Sequence, residues 1–100
     1  MKAVLDGVII AEADRDDLVS IEGNWYFPPR SIREGALEKS PTPYTCPWKG
    51  AAQYWSVNLD GVGLVDGAWS YPELRPGAAQ RAGTDFAGYV AFDPRISVVD

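Results

Sequence analysis

A thiol, an amine and several aromatic rings lie close together in the middle of this chain of 100 residues. The segment 44–50 holds the only cysteine, Cys46, together with Trp48 and Lys49. Such a density of rings beside two reactive groups indicates either a lined pocket or one packed core. The aromatic residues that follow in sequence and could share that pocket are Tyr54, Trp55, Trp69 and Tyr71.

Cys46 is the candidate catalytic residue, as a nucleophile. Its thiolate would form readily if a cation such as Lys49 or Arg30 lay beside it. The chain has no histidine to act as a base and no second cysteine for redox cycling. The competing interpretation is that Cys46 is a small buried hydrophobic residue, as free cysteines commonly are.

A ligand cleft is the second candidate site. Four tryptophans and five tyrosines are more rings than the core of so small a domain requires. Gly50 would let the backbone approach a ligand, and Lys49 is either the cation of the cleft or a solvated loop charge. The predicted ligand-binding residues are Arg30, Trp48, Lys49, Tyr54, Trp69 and Tyr71.

Composition limits the partners. The 14 acidic and 9 basic residues give a net charge of −5, and the basic residues are scattered, so we expect no binding to nucleic acid. No apolar run approaches the roughly 20 residues that span a bilayer, which predicts a cytoplasmic protein without a membrane partner.

With 46% hydrophobic residues the chain should fold as one domain over residues 1–100. It should be a monomer, or a weak homodimer paired through a strand edge at Val98 and Val99.

The sequence predicts neither a metal site nor a cofactor. A single cysteine excludes a zinc site built from four cysteines, and the absence of histidine excludes a histidine-ligated metal. The acidic residues between positions 12 and 17 lack the spacing of a calcium-binding loop. We interpret them as a solvated turn.

Short alternating segments predict a mainly β domain with one or two short helices. Asp-Gly pairs at 6–7 and 60–61 are typical of tight hairpin turns. Gly63 and Gly67 favour bulges in the strand that carries them. Ser31 with Glu34 has the form of a capping box and predicts a helix over 32–39, and a second helix is predicted over 76–82. Strands are predicted at 3–5, 8–11, 18–21, 24–27, 53–59, 62–71, 88–92 and 96–99.

Several short motifs occur in a characteristic order. The run 46–50 reads Cys-Pro-Trp-Lys-Gly and is followed by Tyr-Trp at 54–55, with Tyr-Phe-Pro at 26–28 before it and Ala-Trp-Ser-Tyr-Pro at 68–72 after it. With these motifs, the chain resembles the family catalogued as domain of unknown function 427 over nearly its whole length. The resemblance implies a β-tent fold, in which two antiparallel sheets lean together over a cleft.

The β-tent fold is similar to that of the thalidomide-binding domain of cereblon and of methionine sulfoxide reductase B. Those relatives commonly carry a four-cysteine zinc site, which this chain cannot form. The resemblance therefore implies that the shared feature is an aromatic cleft. It brings no established reaction.

Three functions remain open from the sequence. The leading hypothesis is a domain that binds an unknown small molecule in an aromatic cleft, where Lys49 and Arg30 orient a polar or anionic group. The second is an enzyme that uses Cys46 as nucleophile. The third is a protein-interaction module.

Overall fold

Short strands joined by tight turns make up most of the protein, and the mainly β class predicted from the sequence is confirmed. The computed structural model describes residues 1–100, with eleven strands and one α-helix, α1 at Ala78–Ala82. Single turns of 3-10 helix lie at Arg15–Asp17 and Pro29–Ser31. The strands are β1 Lys2–Leu5, β2 Val8–Glu12, β3 Val19–Ile21, β4 Asn24–Tyr26, β5 Leu37–Lys39, β6 Thr45–Cys46, β7 Gly50–Ala51, β8 Gln53–Leu59, β9 Val62–Ser70, β10 Val90–Phe92 and β11 Ser97–Val99.

The strands form four antiparallel sheets. The larger two have the strand orders β11-β1-β2 and β10-β9-β8-β5. The smaller two are the hairpins β3-β4 and β6-β7. An isolated bridge between Phe27 and Val90 attaches the chain just after β4 to β10. The two hairpins supply much of the candidate site described below.

Three hairpin turns share one backbone geometry. Both Asp-Gly turns predicted from the sequence are confirmed, since their central residues have φ values of +48° and +81° at 6–7 and +50° and +83° at 60–61. The turn of β3-β4 repeats this geometry with Glu22 at +55° and Gly23 at +81°. Positive φ at both central residues twists the turn to match the strands, but it is uncommon for a glutamate.

The predicted helix over 32–39 is wrong. The Ser31 hydroxyl donates a hydrogen bond back to the carbonyl oxygen of Pro28 at 2.7 Å, so it does not cap a following helix. The Arg33 amide donates to the carbonyl oxygen of Ile10 at 2.9 Å, which ties this segment to β2. Gly35 has a φ of +78°, and the chain then enters β5, which pairs with β8. Pairing with existing strand edges thus outweighs a capping signal that local sequence alone provides.

An irregularity in the β8-β9 hairpin sets the register of the aromatic residues. Trp55 pairs with Ala68 whereas Val57 pairs with Leu64, so residues 65–67 lie opposite one residue, Ser56. The bulge predicted at Gly67 is therefore present, whereas Gly63 pairs regularly with Asn58. Beyond the bulge, the restored pairing places Tyr54 directly opposite Trp69.

The last two strands belong to different sheets. β10 pairs with β9, and β11 pairs with β1. Asp93 turns the chain between them, because its carboxylate accepts hydrogen bonds from the Arg95 amide and guanidinium at 2.9 Å. β11 is an edge strand of its sheet, and Val99 is exposed there.

Helix α1 lies within the predicted range of 76–82. It ends at Gly83, whose φ of +88° lets its amide donate to the carbonyl oxygens of Ala79 and Gln80. The helix has only five residues and one buried side chain, that of Ala78. With five residues, α1 is far too short to span a bilayer.

Two hydrophobic clusters lie on either side of β10. Val90 and Phe92 belong to the larger cluster, which joins the two larger sheets. Ala91, between them, belongs to a second cluster with Tyr26, Cys46, Tyr71, Phe86 and Ile21. Side chains alternate along a strand, so one short strand contributes to both clusters. The second cluster is the floor beneath the candidate site.

The backbone at Gly50 leaves no room for a side chain. Its φ is +123°, and a Cβ atom there would lie 2.9 Å from the carbonyl oxygen of Glu73. We expect Gly50→Ala to lower the free energy of unfolding by roughly 2 to 3 kcal/mol through strain and this clash. Gly7→Ala is the matched control, since Gly7 also has positive φ but nothing lies within 4 Å, and it should cost about 1 kcal/mol. Urea unfolding measures both values, and equal losses would contradict the close contact at Gly50.

Candidate functional site

A surface cleft of about 250 Å³ brings together tyrosines, a tryptophan and one ion pair. We call it the tyrosine cleft. The four other depressions on the surface are larger, at about 260 to 450 Å³. The largest two are lined by no aromatic side chain, and each of the other two is lined by a single ring, that of Trp48. The residues that line the tyrosine cleft are Glu22, Asn24, Tyr26, Tyr44, Lys49, Tyr54, Trp69 and Tyr71.

Strand alternation positions the walls of the cleft. Asn24 and Tyr26 are two residues apart on β4 and therefore point to the same side. Tyr54 on β8 faces Trp69 on β9, with ring centroids 6.4 Å apart. The Trp69 indole N–H donates a hydrogen bond to the Tyr26 hydroxyl at 3.2 Å, which joins β9 to β4. Two sheets thus hold the rings at fixed positions.

Lys49 is a buried cation at the inner end of the cleft. Its side chain is only 5% exposed, and its ammonium donates a hydrogen bond to the Glu22 carboxylate. The Lys49 nitrogen lies 4.7 Å from the centroid of the Trp48 ring and 5.5 Å from that of Tyr71. Lysine is almost never buried without a partner, and aromatic faces attract cations. The interpretation of Lys49 as a solvated loop charge is therefore wrong.

Glu22 is the counter-ion of Lys49, although its own side chain is 56% exposed. The hydrogen bond from Lys49 and the charge of Lys49 lower the pKa of the Glu22 carboxyl below its ordinary value, against the opposing effect of desolvation. The nearby Trp48 indole and the Arg81 guanidinium lower this pKa further. Glu22 is consequently ionised near neutral pH and neutralises the buried ammonium.

The tyrosines of the cleft stay neutral over the physiological range. Burial raises the pKa of Tyr26, Tyr54 and Tyr71 above their ordinary value. The Tyr26 hydroxyl accepts from Trp69, whereas no hydrogen bond within the chain engages the hydroxyls of Tyr54 and Tyr71. A neutral phenol can both donate and accept a hydrogen bond. These hydroxyls are therefore available to a bound molecule.

Four of the six residues predicted to bind a ligand lie together in the tyrosine cleft. They are Lys49, Tyr54, Trp69 and Tyr71.

Trp48 lies on the other side of Lys49. Its ring packs against Phe86 at 6.2 Å and against the Arg81 guanidinium at 4.5 Å. It lines two shallow depressions that it shares with Arg81, at about 260 and 360 Å³. Trp48 therefore contacts the cation of the tyrosine cleft without lining the cleft.

Arg30 lies apart from the other predicted binding residues. Its side chain is 69% exposed and pairs with Asp17 at 3.6 Å. It lines the depression of about 450 Å³ with Met1 and Glu12. It belongs to the 3-10 turn Pro29–Ser31, and it is not among the residues that line the tyrosine cleft.

Cys46 is buried in the second cluster. It is 6% exposed, and its sulfur lies 4.0 Å from the Lys49 nitrogen. The pairing of Cys46 with Gly50 in β6-β7 closes the loop that carries Lys49. The expected cation is therefore beside the thiol, but the thiol is shielded from solvent.

Sequence reasoning missed Glu22, Asn24, Tyr26 and Tyr44 as cleft residues. One signal for Glu22 existed. The other two hairpin turns of this geometry use aspartate before glycine, and here the longer glutamate occupies the same position. Positive φ is energetically unfavourable for a residue with a long side chain, so a glutamate at this position suggests that its carboxylate has a specific partner. No comparable signal marks Tyr44, which lies in a loop that lacks regular structure until Thr45.

We expect Glu22→Gln to lower the free energy of unfolding at pH 7 by about 1 to 2 kcal/mol, because it removes the charge that neutralises a buried ammonium. The folded-state pKa of Glu22 is lowered, so its stabilisation is present above the unfolded-state pKa and is lost as pH falls through the folded-state pKa. Urea unfolding at pH 7 and below the ordinary carboxyl range of about 4.3 should show the gap between wild type and variant closing at acid pH. Asp17→Asn, which removes a carboxylate from an exposed ion pair, is the control with a small effect. A gap independent of pH would contradict the ion pair.

We expect Cys46 to react slowly with iodoacetamide in the folded protein, since its sulfur is buried. The rate at pH 7.5 should be lower than in concentrated guanidinium chloride by roughly 100-fold or more, because labelling must await local opening. Mass spectrometry of timed samples measures both rates. Comparable rates would show an accessible thiol and would favour the nucleophile hypothesis.

Comparison with known proteins identifies the family without assigning an activity. No curated protein matches the chain. Residues 1–100 match the family described as a domain of unknown function (DUF427). The resemblance based on the Cys-Pro-Trp-Lys-Gly run is confirmed, and the match spans the whole chain. The protein belongs to the DUF427 family.

Proposed function

We propose that this domain binds a small polar molecule in the tyrosine cleft. One observation carries the proposal: four phenol rings, an indole and a buried ammonium with its carboxylate partner converge on a single depression of about 250 Å³. Ligand sites typically combine apolar or aromatic walls with a few polar groups that fix orientation. A core that served stability alone would not place a charged pair and several free hydroxyls on one side.

The walls favour a ligand with a flat apolar part. Tyr54 and Trp69 meet at an angle of 51°, so the two rings form a corner. Tyr71 is buried and packs edge-on against Phe86, which fixes its plane. Rings held in this way offer contact area without losing further side-chain freedom on binding.

The polar groups of the cleft favour a ligand with several hydrogen-bonding atoms. The Tyr54 and Tyr71 hydroxyls and the Asn24 amide are at the cleft without a hydrogen-bonding partner in the chain. A site built to pair such groups discriminates strongly against analogues that leave them unpaired.

The size of the cleft limits the ligand. Its volume of about 250 Å³ is slightly below the range of roughly 300 to 1,000 Å³ for drug-sized ligands. A metabolite with one small ring, or an amino acid of similar size, is the class that fits this space.

A metabolite panel tests the proposal through thermal melting and tryptophan fluorescence. We expect at least one compound to raise the melting temperature of the wild type and change its emission. Tyr54→Phe removes one hydroxyl and should weaken binding by about 2- to 10-fold, while Trp69→Phe should remove most of the emission change. Trp25→Phe is the matched control, because Trp25 does not line the cleft and lies on the opposite face of β4 from Asn24 and Tyr26. Its ring contacts Arg15 and packs against the larger cluster, so the change should leave binding unchanged. Absence of any hit, or a hit equally weakened by Trp25→Phe, would contradict a ligand site in the cleft.

A further inference from the structure

We propose that Glu22 is an exchangeable counter-ion: a small monocarboxylate enters the tyrosine cleft, takes the place of the Glu22 carboxylate on Lys49, and releases Glu22 toward Arg81. This inference rests on the proposed function of the cleft and specifies the class of ligand and the residue that competes with it.

The buried charge of Lys49 is stabilised by an anion beside it. Its side chain is 5% exposed, and its nearest groups apart from Glu22 are the Cys46 sulfur and the faces of two rings. None of these supplies a full negative charge. An uncompensated buried charge is destabilising, so the displacement of Glu22 is favoured when another anion takes its place.

Glu22 is held mainly by its carboxylate, through Lys49 and the nearby Trp48 indole. Its carboxylate makes a hydrogen bond with Lys49, and its side chain is otherwise more than half exposed. It extends from the tip of the β3-β4 hairpin, where the backbone has a φ of +55°. Its side chain is 56% exposed, so rotation into water buries no new charge. The anion of the pair is therefore replaceable, while the cation is fixed.

Arg81 offers the displaced carboxylate a new partner. Glu22 lines both the tyrosine cleft and the adjacent depression that contains Trp48 and Arg81. The Arg81 guanidinium lies over the Trp48 ring at 4.5 Å and forms no ion pair with a carboxylate. It already contributes to the lowered pKa of Glu22, so its field reaches that carboxyl. Rotation of the Glu22 side chain from the tyrosine cleft into the depression with Arg81 would replace its ion pair with Lys49 by an ion pair with Arg81.

The charge balance selects a monocarboxylate. Lys49 presents one positive charge, and the group to be replaced is a carboxylate, so a ligand carboxylate matches it in charge and shape. The rest of such a ligand would extend between Tyr26, Tyr71 and Trp69. A dianion would leave one negative charge unpaired in a cleft whose other polar groups are neutral phenols and an amide.

The test uses small carboxylates of defined structure and their neutral amides. Acetate, benzoate and 4-hydroxybenzoate are titrated against the wild type, Glu22→Gln and the control Asp17→Asn, each beside the corresponding amide and an equal concentration of sodium chloride. Thermal melting and tryptophan fluorescence give the apparent affinity. Glu22→Gln should bind the carboxylates about 10-fold more tightly than the wild type because the competing anion is gone, and the amides should not distinguish the two proteins.

A second measurement does not depend on the stability of the variant. In the wild type, saturation with the best carboxylate should raise the pKa of Glu22 toward its ordinary value, because the exposed Arg81 lowers this pKa less than the buried Lys49 does. Carbon NMR of the Glu22 carboxyl group follows this pKa. Arg81→Gln should weaken carboxylate binding by about 2- to 5-fold, since it removes the partner of the displaced Glu22.

The outcomes separate this inference from the proposed function. Equal carboxylate affinity in the wild type and Glu22→Gln, with no change in the pKa of Glu22, would overturn the exchange and leave a ligand cleft in place. Absence of carboxylate binding in both proteins would overturn the ligand class. Stronger binding to Glu22→Gln together with the shift in the wild type would establish the exchange.

Discussion

The neutralisation of one buried ammonium organises this end of the molecule. Lys49 lies among aromatic rings, and its charge is tolerated only because Glu22 reaches it from a different hairpin. The β3-β4 turn and the loop closed by β6-β7 must therefore keep a fixed position relative to each other. An apolar pair of similar volume would meet this structural need at least as well, since buried ion pairs contribute little net stability. Besides joining the two hairpins, the charged pair is the basis of the counter-ion exchange that we propose.

The short strand β10 couples this end of the protein to the main core. Val90 and Phe92 pack into the larger cluster, and Ala91 packs into the cluster below the cleft. Its neighbour β9 carries Trp69, whose indole is bonded to Tyr26 on β4. The walls of the cleft are thus extensions of the sheet that the main core stabilises. The aromatic wall of the cleft thus needs no separate supporting layer.

Local turn chemistry was predictable from the sequence, and long-range partners were not. Asp-Gly pairs specified two hairpins because positive φ is a property of those residues themselves. The segment after Ser31 carried a helix signal, but hydrogen bonds to β2 and β8 determined its structure. Aromatic density located four of the cleft residues, but the pairing of Tyr54 with Trp69 depends on the bulge opposite Ser56, whose size the sequence does not specify. Arg30 and Glu22 depended on which loops meet in space, which spacing along the chain does not encode.

The backbone around Lys49 is fixed by packing, whereas the Glu22 side chain is free to move on a fast timescale. The Lys49 carbonyl accepts a hydrogen bond from the Arg75 amide at 2.9 Å, and Gly50 beside it is packed against the Glu73 backbone. The Glu22 side chain, by contrast, is largely in solvent at a hairpin tip. Exposed side chains change rotamer in picoseconds to nanoseconds, whereas loop and domain motions are slower by orders of magnitude. Access to the ammonium would therefore require no lid movement, and the rate of association would be set by diffusional encounter with the cleft.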